Sequence, residues 1–264
     1  MKKVKAYYKK MYELRFFWMH LTGLELKNKF RRSKLGFLWT FVSPLCLSGI
    51  MGTVFATVFH LEIMGYVPYV LSGMLFWDLV NACFNAGGFT IIGNEGFIRQ
   101  CNHPLTMYTF KSSLVYVVTF LIALISLILW IAVSAPLHIL LGLLTLPLTL
   151  LIYFAFSWAA TTIAGYTCAQ YRDYPMMAPL ALQVVWYVSP IFFQKEMFES
   201  SPAFFTWFQI NPVTHMLNLL REPMLYGRWP SPGDYAICFA FVLLFILWAV
   251  WLNKKKEKDI IFYL

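Results

Sequence analysis

Asp78 is the one acidic residue inside a long apolar run of this chain, and Asn81 and Asn85 follow it at i+3 and i+7, on one face of a helix. A carboxylate and two amides so placed could relay protons, line a polar pore or hydrogen-bond a neighbouring helix. A relay wants several ionisable groups within the membrane, and the other apolar runs offer none at mid-length, so ion-coupled transport is disfavoured. The pore and the packing stripe both stay open. Other chemistry is harder to find. His20, His60, His103, His138 and His215 are dispersed, and Cys46, Cys83, Cys101, Cys168 and Cys238 contain no C-x-x-C pair. Neither a metal site nor a disulfide framework is suggested, and the cysteines read as small buried hydrophobes. No G-x-x-x-x-G-K-[ST] loop offers a route to ATP, and G-x-G-x-x-G and H-E-x-x-H are missing too. No Ser-His-Asp grouping can be argued from spacing. No cofactor is expected on this chain.

The elements that must hold the polar stripe follow from composition. Of the 264 residues, 60% are hydrophobic and 12% charged, about half the charge of an ordinary soluble domain. An integral membrane protein follows. Six runs approach the roughly 20 apolar residues that a spanning helix needs: Leu35–Phe59, Tyr66–Phe89, Ser112–Ala135, Ile139–Cys168, Tyr174–Phe193 and Tyr235–Leu252. The fourth is long enough to tilt or to break near Pro147. The net charge of +9 invites a nucleic-acid reading, but its distribution answers that. With six spans, 18 of the 21 Lys and Arg residues fall on one side, leaving Lys195, Arg221 and Arg228 on the other. That is the positive-inside pattern, with both termini cytoplasmic, and it leaves no nucleic-acid partner. The lysine-rich N-terminus lacks a short apolar core and a cleavage site, and reads as retained.

Between the basic residues of Met11–Phe30, Leu14, Phe17, Trp18, Leu21 and Leu24 recur at helical spacing, predicting an amphipathic helix in the membrane interface. A soluble helix resting on a partner subunit is the alternative. In "GNEGFIRQCNHPLTMY", Asn94 could cap a short helix that has Glu95 in its first turn and ends at Pro104. The stretch Gln194–Asp234 is too long for a bare connection. In it, "NPVTHMLNLLREP" predicts a helix capped by Asn211, with Pro212 in its first turn and Glu222-Pro223 closing it. With "AFFTWFQI" before it, this gives two short helices dipping into the outer leaflet, about 202–225. Aromatic residues reach 19%. Most suit lipid contact and interfacial belts, yet an aromatic conduit with few charges would also suit a sugar chain, whose C–H faces pack on flat rings.

Three stretches carry a resemblance: "KNKFRRSKLGFLWTFVSPL", "YRDYPMMAPLALQVVWYVSPIFF" and "INPVTHMLNLLREPMLYG". In order and spacing they resemble the transmembrane permease subunit of bacterial ABC-2-type polysaccharide exporters, which move O-antigen, capsule or teichoic acid chains. Ser43 stands where that family usually has Asn. The resemblance implies an all-α membrane fold of six spans, residues 35–253, between a cytoplasmic segment 1–34 and a tail 254–264. It implies a homodimer in the inner membrane, two separate ATPase subunits that bind ATP and Mg, and a lipid-linked polysaccharide substrate.

Coupling to the ATPase would use a helix about 94–104, at Asn94, Glu95, Gly96, Phe97, Ile98, Arg99 and Gln100, with a second contact at Tyr171, Arg172 and Asp173. Arg31, Arg32 and Lys34 would meet the substrate headgroup at the cytoplasmic mouth. Phe41, Asp78, Asn81, Trp186 and Tyr187 are candidates to line a channel, and Asn211, Pro212 and His215 to gate its exit. Two rival functions are an ABC-2 exporter of drugs or small lipids and a membrane glycosyl- or acyltransferase. The latter would want clustered acids or histidines at a membrane face, and the sequence displays none.

Overall fold

The computed structural model describes residues 9–31, 36–101, 103–194, 197, 202–257 and 259–260, with backbone alone at 202–205. The described chain is helical and without strands: α1 Arg15–Arg31, α2 Leu38–Phe59, α3 Ile63–Asn81, a π-turn Ala82–Ala86, α4 Glu95–Gln100, α5 Leu105–Ser134, α6 Pro136–Gln170, α7 Tyr174–Val188, α8 Pro202–Ile210, α9 Pro212–Leu225 and α10 Pro232–Lys256. Among the described residues, five segments are long and apolar enough to cross a membrane: α2, α3 with its π-turn, α5, α6 and α10. The protein is a multi-pass membrane protein.

Packing is uneven among these five. The buried positions of α2 are Pro44, Ser48, Gly52 and Ala56, each four residues after the last. This stripe of small side chains lets α2 lie close on α3, and a Cβ on Gly52 would come within 2.8 Å of Val67 Cγ2. The remaining faces of α2 and α10 are largely exposed, whereas α3 is sheathed by α2, α5, α9 and the π-turn. Around α3, Phe76, Phe120 and Tyr153 stack edge-on or tilted at 5.0–5.5 Å between centroids. A second cluster joins Ile98 of α4 to Leu105, Met107, Tyr108, Tyr166 and Ile260, with Leu14, Phe17 and Trp18 packed on it. It marks the basic end of the bundle. At the opposite end α9 is wedged against α3, α6 and the beginning of α10.

Several expectations need correction. The third span does not start at Ser112, because α5 already starts at Leu105, behind Pro104. Lys111 is therefore a buried helix residue rather than a loop cation, paired with Glu25 at 2.7 Å. Asn94 does not cap α4: its Nδ2 donates to Thr90 O at 2.7 Å and no side chain caps that terminus. The short helix ends at Gln100, four residues before Pro104, which instead opens α5. Pro147 leaves α6 unbroken over 35 residues.

Glu222-Pro223 does not close α9 either, since the helix runs on to Leu225. Proline removes the bond to the carbonyl four residues back, and that carbonyl, Leu219 O, accepts instead from Thr149 Oγ1 of α6 at 3.3 Å. The stretch expected as the fifth span, Tyr174–Phe193, is helical over only 15 residues, or about 22 Å. Pro190 explains the stop, because the residue before a proline is pushed into extended backbone, and Ser189 has ψ 150°.

Candidate functional site

Asp78 lies two-thirds of the way along α3 with its π-turn, where the neighbouring positions are buried, yet Asp78 itself is exposed, because cavities open on both sides of it. No hydrogen bond to its carboxylate is formed among the described residues. One cavity, about 460 Å³, is bounded by Asp78, Asn81 and Asn85 with Lys29 of α1, Trp39 and Ser43 of α2, and Tyr116 and Thr119 of α5. The other, about 370 Å³, runs between α3 and α7, where Gln183 and Trp186 face Trp77 and the same three polar residues. The stripe read from the sequence is therefore one face, as a 3.6-residue period requires. Its far end is a π-turn, a form that concentrates at functional sites, and there Asn85 Nδ2 donates to Asn81 Oδ1. A carboxylate, three amides and three indoles can accept and donate to hydroxyls while stacking on an apolar ring face.

Lys29 approaches this site from outside the spans. The helix α1 runs along the first half of α5, with Trp18 edge-on to Phe110 at 5.1 Å, Glu25 on Lys111, and Lys29 Nζ donating to Thr119 Oγ1 at 3.2 Å. Burial holds the Lys29 ammonium below the usual lysine range, while Glu25 and Asp78 pull it upward. Behind Lys29 a wider cleft of about 1270 Å³ opens at the basic end, bounded by Glu25, Lys29, Arg31, Asn94, Phe97 and Lys111, among others. It shares Lys29, Tyr116 and Ala86 with the smaller cavity, so the two are contiguous.

The other expected site residues are scattered over three places. On α4, Glu95 and Arg99 pair at 2.7 Å on the surface. Ile98 is buried, Phe97 is exposed, and Gly96 and Gln100 face outward. Tyr171, Arg172 and Asp173 form an exposed turn between α6 and α7. Arg31 borders the wide cleft, whereas Arg32 and Lys34 lie outside the described residues. Phe41 is half-buried and Trp39, not Phe41, faces the Asp78 cavity. Tyr187 is exposed on α7 and edge-on to Trp186 at 4.9 Å. Asn211 caps α9 by accepting from Val213 N at 2.9 Å, Pro212 follows as the first helical residue, and His215 contacts Asp234.

One residue counted only as a stray cation proves central to the opposite end. Arg221 is 3% exposed, and its guanidinium donates to Ser72 Oγ, Tyr69 O, Pro190 O and Ile191 O at 2.7–3.1 Å, over the Tyr69 ring at 3.6 Å. Tyr66 and Tyr69 hydroxyls donate to Phe192 O and Phe193 O in the same turn. The helical period held the signal: Leu217, Leu220, Arg221 and Met224 share a face, all buried. Likewise Ser231-x-x-Asp234 has capping-box spacing and forms one.

Residues 18–225 match the ABC-2 type transporter family. The chain belongs to that family. Similar proteins include export permeases and a transport protein. The O-antigen export system permease protein RfbA of Klebsiella pneumoniae is 21% identical over 239 residues, 90% of this chain and 91% of that one. Its namesake in Myxococcus xanthus is 22% identical, covering 94% and 96%. The polysialic acid transport protein KpsM of Escherichia coli is 22% identical, covering 88% and 91%. Within this ABC-2 chain, the match takes in α1, the Asp78 stripe, α4 and α9, and stops before α10.

Proposed function

We propose that this ABC-2 chain is the permease subunit of an ATP-driven exporter that moves a lipid-linked polysaccharide, O-antigen-like, across the bacterial inner membrane. The observation that supports it is the accessible Asp78–Asn81–Asn85 face between two cavities, with Trp77, Trp186 and Gln183 opposite. Such a surface is too polar for lipid and suits a hydroxyl-rich chain with apolar ring faces. The similarity to O-antigen export permeases and a polysialic acid transport protein points the same way.

In this reading the basic end faces the cytoplasm, as positive-inside bias requires. Segment 1–34 and tail 254–264 flank a domain 35–253. The fifth of six crossings uses α7 completed by residues 189–193, while α8 and α9 dip into the outer leaflet without spanning. Two copies of the chain form the conduit, with Phe41, Trp186 and Tyr187 toward it. Two ATPase subunits bind ATP and Mg and push on α4 and on the turn Tyr171–Asp173. Arg31, at the wide cleft, receives the anionic headgroup together with Arg32 and Lys34, which follow it in sequence, and Asn211, Pro212 and His215 belong to the exit.

Cells lacking the chain test this directly. A lipid-linked glycan should accumulate on the cytoplasmic face and clear when the chain is restored. If the cells instead retain a drug or a small lipid, the chain exports those, and if nothing accumulates the reading fails. Purified alone, the chain should hydrolyse no ATP.

A further inference from the structure

His215 lies between two groups that can only accept. Its Nδ1 is 2.6 Å from Asp234 Oδ1 at the start of α10, and its Nε2 is 2.8 Å from Gln209 O at the end of α8. A neutral imidazole carries one N–H and one lone pair, so it can serve only one of them. Both contacts are hydrogen bonds only when both ring nitrogens are protonated. Asp234 is built to remain an acceptor: it also receives Asn218 Nδ2 at 3.0 Å, Ser231 Oγ at 2.7 Å and Ser231 N at 3.3 Å. We propose that His215 is a proton-binding site, and that the proton latches α8 to α9 and α10.

The consequence for α8 follows from the place of Gln209, one residue before the end of that helix. Among the described residues, Trp207 Nε1 donates to Val188 O at 3.3 Å and Phe208 is buried, while Trp207 and Ile210 are exposed by 50% and 69%. When the ring loses a proton it keeps Nδ1–H toward the carboxylate, the stronger partner. Nε2 then turns a lone pair on the Gln209 carbonyl, and the α8 end is repelled where it was held. Because the latched state binds the proton, latching strengthens as pH falls and is lost as pH rises. The Trp207 and Asn211 side chains both reach Val188 O at the end of α7, so release of α8 loosens that end as well.

Among the described residues, no other group near His215 offers the same titration. The α8 sequence has no ionisable side chain. On α10 the neighbour of Asp234 is Tyr235, and on α6 the Tyr153 hydroxyl is engaged with Met216 O at 2.8 Å. Arg221 and Glu222 follow nearly two turns further along α9, and Arg221 is engaged with Ser72 and three carbonyls. The end of α7 and the start of α3 contribute only neutral groups: the Val188 and Ser189 atoms, and Tyr66 and Tyr69, bonded elsewhere.

That the latch faces outside, where acidity varies, rests on the proposed transport orientation; the latch itself does not. Hydrogen exchange of residues 202–211, followed in the reconstituted chain from about pH 5 to about pH 9 and corrected for intrinsic rates, reads it without transport. Protection should fall by about tenfold or more as pH rises, and in His215→Gln it should be low and flat. Flat protection in the unaltered chain, or the same transition in His215→Gln, overturns the proposal. Should that variant fail to insert, ¹⁵N spectra of the unaltered chain, labelled only after residue 201 where His215 is the one histidine, decide. Two ring protons at low pH, one lost together with α8 protection, are expected; a neutral ring throughout overturns it. Failed export with an intact latch counts against the transport reading alone, and the converse outcome against the latch alone.

Discussion

Arg221 and Asp78 are both charged side chains inside a membrane bundle, and the protein treats them in opposite ways. Arg221 is sealed among three carbonyls, a hydroxyl and a tyrosine ring. Asp78 is left open to cavities on either side, without a hydrogen-bond donor among the described residues. A buried charge with four of its five N–H groups engaged has little capacity left for a ligand, and its role is to hold the chain together. A charge that is exposed at mid-span and unbonded is costly unless water or a substrate reaches it. The contrast separates scaffold from conduit more clearly than residue type does.

Removing the guanidinium should have the largest effect. Arg221→Met removes four hydrogen bonds and strips Ile191 O of its donor, while Tyr69 O and Pro190 O keep only the Ser72 and Tyr69 hydroxyls, and a loss of about 3 kcal/mol or more is expected. Thermal unfolding in detergent would measure it. Arg221→Lys should not rescue, since an ammonium lacks the planar fork that reaches four acceptors. Gly73→Ala should mimic part of the damage, because its Cβ would sit 2.8 Å from both Arg221 Nη2 and Ile191 O. If Arg221→Met unfolds like the unaltered chain, the staple is not structural and the comparison collapses.

Asp78→Asn should give the reverse profile. Unfolding should shift little, by about 0.5 kcal/mol or less for a group with no bonded partner, while polymer export falls severalfold. Unchanged export would return the stripe to helix packing, the alternative that the sequence alone left open.

The difference between these two residues also explains what could be read in advance. The Asp78 stripe was legible because it breaks an apolar run with a helical period, and the Asn211 cap because its chemistry is local. Arg221 was not, since its acceptors come from residues 69–72 and 190–191, joined only by the tertiary fold. Proline misled at Pro223 for the same reason: the sequence has no sign that Thr149, 70 residues away in α6, would take up the freed Leu219 carbonyl. Asn94 failed because Thr90 O, one turn back, competes for its side chain.

A smaller effect is expected on α4, which lies at the basic end beside the wide cleft. The Glu95–Arg99 pair is exposed, so charge reversal at either position should move stability by no more than about 0.5 kcal/mol. Export should nonetheless fall while ATP hydrolysis by the assembled complex continues. Intact export in Glu95→Lys and Arg99→Glu would remove α4 from the coupling path.

The smallest expected change tests the scaffold side once more. Thr149→Val keeps the shape of the side chain but removes the hydroxyl that Leu219 O shares with Thr145 O, and both contacts are long, at 3.3 and 3.2 Å. Its loss should cost about 1 kcal/mol, with export preserved. A larger loss would mean that α9 depends on α6 nearly as much as on Arg221. In that case the wedge at the opposite end is a distributed network, and the sharp division between one sealed charge and one open charge has to be redrawn around helices rather than residues.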